Sequence, residues 1–274
     1  MLNHVTLFPV RNSDLRTTYI YVAYFTLIRY ILLIMDKGAR RKRPDYFAGK
    51  MPPRKAERED LMSRKTDIAY EQIKNKILEG ELEPLSDISE EELQKELNIS
   101  RTPIREACQR LKKEGFVYIY PCKGTIVTEI TGDLIREIYQ MRLLNEPFIA
   151  AQACRANFDH ARLLKKREAL ANPPPDLPAE EMRRYHINLD RDLHGSLLRF
   201  CTNRFLQSTM AIVFDHNHRI RVRVSRPYTD NDQSVTEHIG IIDAVLSRDE
   251  ALAEERVRHH INESNRITTG FFLS

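Results

Sequence analysis

Apolar residues recur every three to four positions through most of the chain from Asp133 onward, the period of amphipathic helices. Before that, residues 64 to 129 show a different texture: three shorter helical stretches, then a brief alternating run. In the first stretch Ile68, Ile73, Ile77 and Leu78 fall on one broad stripe, which predicts a helix with Thr66 as N-cap and Gly80 as its stop. A second helix opens at Ser89, where Ser-Glu-Glu-Glu forms a capping box with Glu92, and ends at Asn98, a residue that tolerates left-handed backbone. A third begins at Ser100-Arg101-Thr102-Pro103 and runs through Ile104, Ala107 and Leu111 to Gly115. Ser100 or Thr102 serves as its N-cap, and Pro103 is tolerated in the first turn because its missing N–H would be unpaired there anyway. Phe116 to Tyr120, a turn at Pro121-Cys122-Lys123-Gly124 and Thr125 to Val127 then read as a hairpin.

The predicted fold class is mostly α: a winged helix-turn-helix over residues 64–130, followed by an all-helical antiparallel bundle over 133–270. The bundle is interrupted by a proline loop, Asn172 to Pro178, and by a polar loop near Pro227 to Gln233. Residues 1–60 stand apart as an N-terminal extension. They hold an apolar run from Tyr19 to Met35, the basic cluster Arg40 to Arg43 and the pair Pro52-Pro53. As a helix the apolar run would rise roughly 26 Å, short of the ~30 Å hydrocarbon core. It also contains Arg29, which is costly at that depth. A membrane anchor with its basic flank in the cytosol is the alternative; the reading preferred is that the segment is no part of the working protein, Met35 and Met51 offering later starts.

Composition narrows the classes. Hydrophobic residues make up 42% and charged residues 30%, which excludes global disorder. A net charge of +4 and a pI near 8.8 are too mild to mark a nucleic-acid binder by themselves. The four cysteines form no C-x-x-C pair, which argues against a disulfide framework or thiolate zinc site and fits a cytoplasmic protein.

Local chemistry says more. Two short helices joined by a tight turn form a helix-turn-helix, whose second helix offers its N-terminal residues to base edges. Arg101 and Arg105 are four apart and project from one side of that end. The guanidinium fork reads guanine bidentately or grips phosphate. Lys123, at the tip of the hairpin, faces backbone phosphate. In the bundle, Asp190 and His194 lie one turn apart with Leu189, Leu193 and Leu197 around them; His238 sits among Val235, Ile239, Ile242 and Leu246. His260 shares a stripe with Ala253, Val257 and Ser264, while His259 is rotated about 100° towards solvent. One such histidine would be an ordinary core residue. An aspartate and three histidines aimed inward from three helices make a divalent metal site, as bundle cores build them. The donor set suits zinc first, with nickel, manganese or iron as alternatives. His186 is a reserve ligand, and the alternating His216 and His218 read as surface residues.

The stretches I-L-E-G-E-L-E-P and S-E-E-E-L-Q-K-E-L-N-I-S-R-T-P-I-R-E-A resemble the winged helix-turn-helix of GntR-type regulators. That resemblance gives Ser100, Arg101, Thr102, Arg105 and Gly124 DNA-contact roles. I-Y-Q-M-R-L-L-N-E-P, D-R-D-L-H-G-S-L-L, C-T-N-R-F-L, E-H-I-G-I-I-D-A-V and R-H-H-I resemble the FCD sensor domain of the FadR-type branch. Many members hold a divalent metal on an Asp and three His, here Asp190, His194, His238 and His260, and the metal helps bind an organic-acid effector. Arg142 falls where an arginine can face the effector, with a surface salt bridge as its alternative role. Leu85 replaces the family's usual glycine, Leu193 a common phenylalanine, and Asn145 a less polar residue.

The expectation is therefore a non-enzymatic, homodimeric cytoplasmic repressor or activator. It would bind double-stranded operator DNA and respond to a small carboxylate effector. A metalloregulator sensing the ion itself is the alternative. A metal-dependent hydrolase with a DNA-binding module is less well founded, since no further carboxylate is placed as general base.

Overall fold

A computed structural model of the chain describes residues 55–157, 161–224 and 232–272. The apolar run Tyr19 to Met35, the basic cluster after it and most of the 1–60 extension lie outside these residues, as does most of the polar loop near Pro227. Among the described residues no helix is long and apolar enough to cross a membrane.

Helix α1 spans Lys55–Leu78 and is longer than its apolar stripe predicts. The segment upstream of Thr66 (K-A-E-R-E-D-L-M-S-R-K) is made almost wholly of strong helix formers, so the helix continues across the boundary expected near residue 60. Thr66 is consequently not an N-cap. It is buried within α1, its hydroxyl 3.1 Å from the Met62 carbonyl and 2.8 Å from Glu106 Oε2. The buried stripe is Ala69, Tyr70, Ile73 and Ile77, and Ile68, one position out of phase, is exposed. Gly80, at φ +78°, follows the helix end as expected.

Strand β1 (Asp87–Ile88), α2 (Glu90–Leu97), α3 (Arg101–Lys113), β2 (Val117–Tyr120) and β3 (Gly124–Val127) complete the N-terminal unit. Ser89 caps α2 by accepting from the Glu92 N–H at 3.2 Å, and Asn98 ends it at φ 52°. Ser100 occupies the N-cap position of α3 without a side-chain hydrogen bond, which leaves its hydroxyl available at an exposed helix start. The strands pair antiparallel in the order β1-β3-β2, with Val117 opposite Val127 and Tyr120 opposite Gly124. Ile73, Leu78, Ile104, Leu111, Phe116 and Val127 pack together beneath this sheet.

The second half is helical throughout: α4 (Gly132–Arg155), α5 (Ala161–Ala171), α6 (Ala179–Leu198), α7 (Arg204–Val224), α8 (Asp232–Leu246) and α9 (Glu250–Phe272). Helix α4 lies along α9 and also meets α6, α7 and α8, which makes it the central member. Ile135, Ile149, Leu193, Met210, Ile241 and Val257 are among the core residues.

Helix α7 also holds the N-terminal unit. The His216 ring stacks on Phe116 with centroids 4.1 Å apart, and its Nε2 donates to the Glu114 carbonyl at 2.8 Å. His218 Nε2 meets Glu79 Oε1 at 3.0 Å, and Arg219 Nη1 donates to the Thr128 carbonyl at 3.1 Å. His216 and His218, expected at the surface, are 5% and 2% exposed. Their polar surroundings in sequence misled because the partner face is itself polar: helix ends and hairpin backbone whose carbonyls need donors.

Leu85 adopts φ +68° with its side chain largely exposed, the left-handed conformation that a Cβ disfavours by about 1–2 kcal/mol. Glycine gives back part of that through its greater freedom in the unfolded chain. Leu85→Gly is therefore expected to stabilise the protein by about 0.5–1 kcal/mol; a lower urea midpoint for the variant would contradict this.

Burial, aided by the Arg219 cation, holds the His216 imidazole down to about 4, and its Nδ1 has no hydrogen-bond partner among the described residues. The unfolded residue takes up a proton near 6.5. Stability contributed by neutral His216 is thus complete above about pH 6.5 and declines as the pH falls towards 4, by up to about 1.4 kcal/mol per pH unit. Urea midpoints at a series of pH values should fall less steeply over that window for His216→Gln than for wild type. Equal slopes would show that His216 does not carry this dependence.

Candidate metal centre and nucleic-acid interface

Asp190 and His194 reach the bundle core from consecutive turns of α6, His238 from α8 and His260 from α9; all four are buried, at 3% exposure or less. One ligand-type atom from each lies within 4.8 Å of the others. The Nε2 atoms converge on Asp190 Oδ1, at 3.0 Å for His238 and 3.8 Å for both His194 and His260. His238 Nε2 and His260 Nε2 are 3.2 Å apart, so at most one of that pair can bear the intervening proton. Asp190 Oδ1 itself makes no aligned hydrogen bond among the described residues. A buried carboxylate oxygen facing three imidazole nitrogens without an aligned donor suits a shared cation.

The far sides of two rings face carboxylates. His194 Nδ1 lies 2.6 Å from Glu146 Oε2 on α4, and His260 Nδ1 donates to Glu237 Oε2 on α8 at 3.0 Å. A carboxylate at Nδ1 draws the proton to that nitrogen and turns the Nε2 lone pair towards the cluster. Burial pushes the His238 imidazole below its ordinary value and the His260 imidazole well below, favouring the neutral rings that ligate. Burial alone would raise the Asp190 carboxyl; the Arg221 guanidinium and the His238 and His194 imidazoles outweigh it and hold it well below the carboxylate range.

Arg142 belongs to this place and not to the surface. It is fully buried, with Nε 2.5 Å from Glu146 Oε1, Nη1 3.0 Å from Asn217 Oδ1 and Nη2 3.4 Å from His194 Nε2. The surface-salt-bridge alternative is thereby overturned. Arg221 reaches from α7, with Nη1 3.4 Å from Asp190 Oδ1 and the same distance from Ser264 Oγ. His186 stands outside the cluster, edge-on to the Tyr185 ring, and His259 is exposed, as its helical phase demands. Sequence reasoning missed Glu146, Asn217, Arg221 and Glu237. Glu146 was within reach of it, four residues after Arg142, and so was Glu237, the neighbour of His238. Asn217 and Arg221 had no signal, because α7 was not assigned to the site.

In the N-terminal unit, Ser100, Arg101, Thr102 and Arg105 are exposed along the start of α3, and Lys123 and Gly124 are exposed at the tip of the β2–β3 hairpin. Arg101 Nε donates to Gln94 Oε1 at 2.9 Å, and Arg105 Nε lies 2.9 Å from Glu90 Oε2. Both contacts arise from α2 and splay the guanidinium groups across the face of the two helices. Tyr118 and Tyr120 expose their rings on the hairpin, 6.2 Å apart.

Residues 65–127 match the bacterial regulatory proteins of the gntR family, and residues 137–263 match the FCD domain. The chain is 28% identical over 202 residues to the HTH-type transcriptional regulator YdhC of Bacillus subtilis (strain 168), covering 70% of this chain and 86% of the relative. It is 25% identical over 209 residues to the gluconate operon transcriptional repressor of Bacillus licheniformis, covering 74% and 84%. A crystal structure of a GntR transcriptional regulator from Rhodococcus sp. RHA1 shares the fold, with a TM-score of 0.63 at 20% identity over 76% of this chain and 98% of that one. With a gntR helix-turn-helix followed by an FCD domain, the chain belongs to the GntR family of transcription regulators.

Proposed function

We propose that this regulator binds double-stranded operator DNA as a homodimer and releases or tightens it when a small carboxylate effector joins a divalent metal in the bundle. The convergence of Asp190, His194, His238 and His260 on one buried point carries the reading. Residues 64–130 would form the DNA head and 133–270 the sensor, with 1–60 dispensable for both. Zinc is the first candidate, and a bound cation would supply Lewis acidity and open positions for a carboxylate. This chain's own contribution is to orient two of the imidazoles through Glu146 and Glu237 and to set Arg142 and Arg221 beside the site. A relative described as a gluconate operon repressor makes sugar acids sensible members of an effector screen. Leu144 and Phe148, four apart and exposed on α4, offer an apolar stripe for a second copy.

On the DNA side, Ser100, Thr102 and Gly124 would approach the backbone while Arg101 and Arg105 read bases. The contacts to Gln94 and Glu90 do not oppose this: an exposed pair contributes about 0–1 kcal/mol, whereas a bidentate base contact is worth about 1–3 kcal/mol. Arg101→Ala and Arg105→Ala are expected each to weaken operator binding by about 1–3 kcal/mol with the fold intact. Lys123→Ala should weaken binding to all sequences alike and flatten its salt dependence. Binding curves on an operator selected from random duplex DNA would measure both; unchanged affinity of the double arginine variant would remove α3 as the reading element.

Elemental analysis of protein prepared without chelator should find one divalent ion per chain. His238→Ala or His260→Ala should abolish it, and His259→Ala should leave it. Metal should also raise the thermal midpoint, since it binds the folded state. Carboxylate ligands should add to that rise only while the metal is present. Metal content indifferent to His238 and His260 would end the metal reading, and stabilisation by acids that survives metal removal would end the effector mechanism.

A further inference from the structure

From Arg191, the residue that follows Asp190 in α6, a short series of charged side chains runs to the DNA head. Asp215, on α7, has 15% of its side chain exposed and meets a cation on each side. Its Oδ2 lies 2.8 Å from Lys74 Nζ, on α1 of the head. Its Oδ1 accepts from Arg191 Nη2 at 2.9 Å, and Arg191 directly follows Asp190 in α6. Lys74 is itself shared: its Nζ also lies 3.0 Å from Glu114 Oε2 and 2.7 Å from Tyr70 Oη. Glu114 is the C-cap of α3, and its N–H donates to the Arg110 carbonyl at 3.1 Å. Each link therefore divides one charge between two partners. Drawing Arg191 away from Asp215 leaves more of that carboxylate to Lys74, and Lys74 is then held less by Glu114.

We propose that Asp215 is a positioning residue that transmits the state of the Asp190 site to the C-terminal end of recognition helix α3. The inference rests on the metal reading above and adds the route by which it reaches the head. Two features favour this route over passive packing. It joins groups from three helices and the C-cap of a fourth through contacts that share one charge between two partners, which gives a coupling element its alternatives. Its members are also placed to survive its loss: without Asp215, Lys74 keeps Glu114 and Tyr70, and Arg191, about one-third exposed, can turn to water.

Hydrogen exchange on the full chain tests this, comparing metal-stripped protein with the same protein plus zinc alone. In wild type, zinc should slow exchange within α6 and α8, and also at Ile73 to Leu78 and Glu114 to Phe116 in the head, the latter by roughly 5- to 150-fold if the coupling is of ordinary size. Asp215→Asn should bind zinc as wild type does and keep the slowing in α6 and α8, while the head response falls below about twofold, small against the usual coupling range. Arg191→Gln, altered at a more exposed position, should do the same and stands in should Asp215→Asn fail to fold; Asp215→Glu should restore part of the head response. A full head response in Arg191→Gln and Asp215→Asn overturns the proposal. So does a wild type in which zinc protects the bundle and leaves the head unchanged, with the metal reading intact. Zinc that protects neither in wild type removes the metal reading and the proposal together.

Discussion

A carboxylate in the middle of a helical bundle has to be answered by charge, and the arrangement around Asp190 is that answer. Leaving an ionised carboxylate unpaired in such surroundings costs several kcal/mol. Here Arg221 and three imidazoles surround it, and none makes an aligned hydrogen bond to Oδ1. The outer groups follow the same logic: Glu146 balances Arg142 and holds His194, and Glu237 holds His260. Every helix of the bundle except α5 contributes a side chain to this cluster. The core consequently depends on one polar point as much as on the apolar layers packed about it.

Both candidate sites use arginine, but in different dielectric settings. Arg142 is wholly enclosed and has its charge countered by Glu146, so it acts as a fixed part of the cluster's wall. Arg101 and Arg105 stand in solvent with weak, easily exchanged partners, which suits groups that must give up one contact to take another.

How far the sequence could be read depended on whether one element or several determined the outcome. The period of apolar residues located the three helices and hairpin of the head, and helical phase separated His260 from His259, because each is decided by a single element. Ser89 and Asn98 acted as helix signals for the same local reason. The start of α1 was misplaced because a capping-type residue, Thr66, sits inside a run of strong helix formers, and propensity over the whole run prevailed. His216 and His218 were misread because their burial is decided by a different part of the chain. The four inward side chains of the cluster could be named from their stripes, whereas Arg221 and Asn217 could not, since nothing along α7 announces which of its polar residues face the core. Leu85 departs from the family's glycine, and the backbone there keeps the left-handed shape that the glycine would have made easy.

The seam along α7 includes hydrogen bonds, ion pairs and one stacked ring. Water can replace the polar contacts among these nearly one for one, whereas Phe116, stacked on the His216 ring, and Ile212, packed against the core of the head, would lose apolar cover. Such a joint closes with a defined orientation, because hydrogen bonds and ion pairs are directional where apolar contact is not. An oily seam of equal area would hold the halves more tightly but would let them slide. The chemistry of this boundary thus gives the DNA head a precise address on α7.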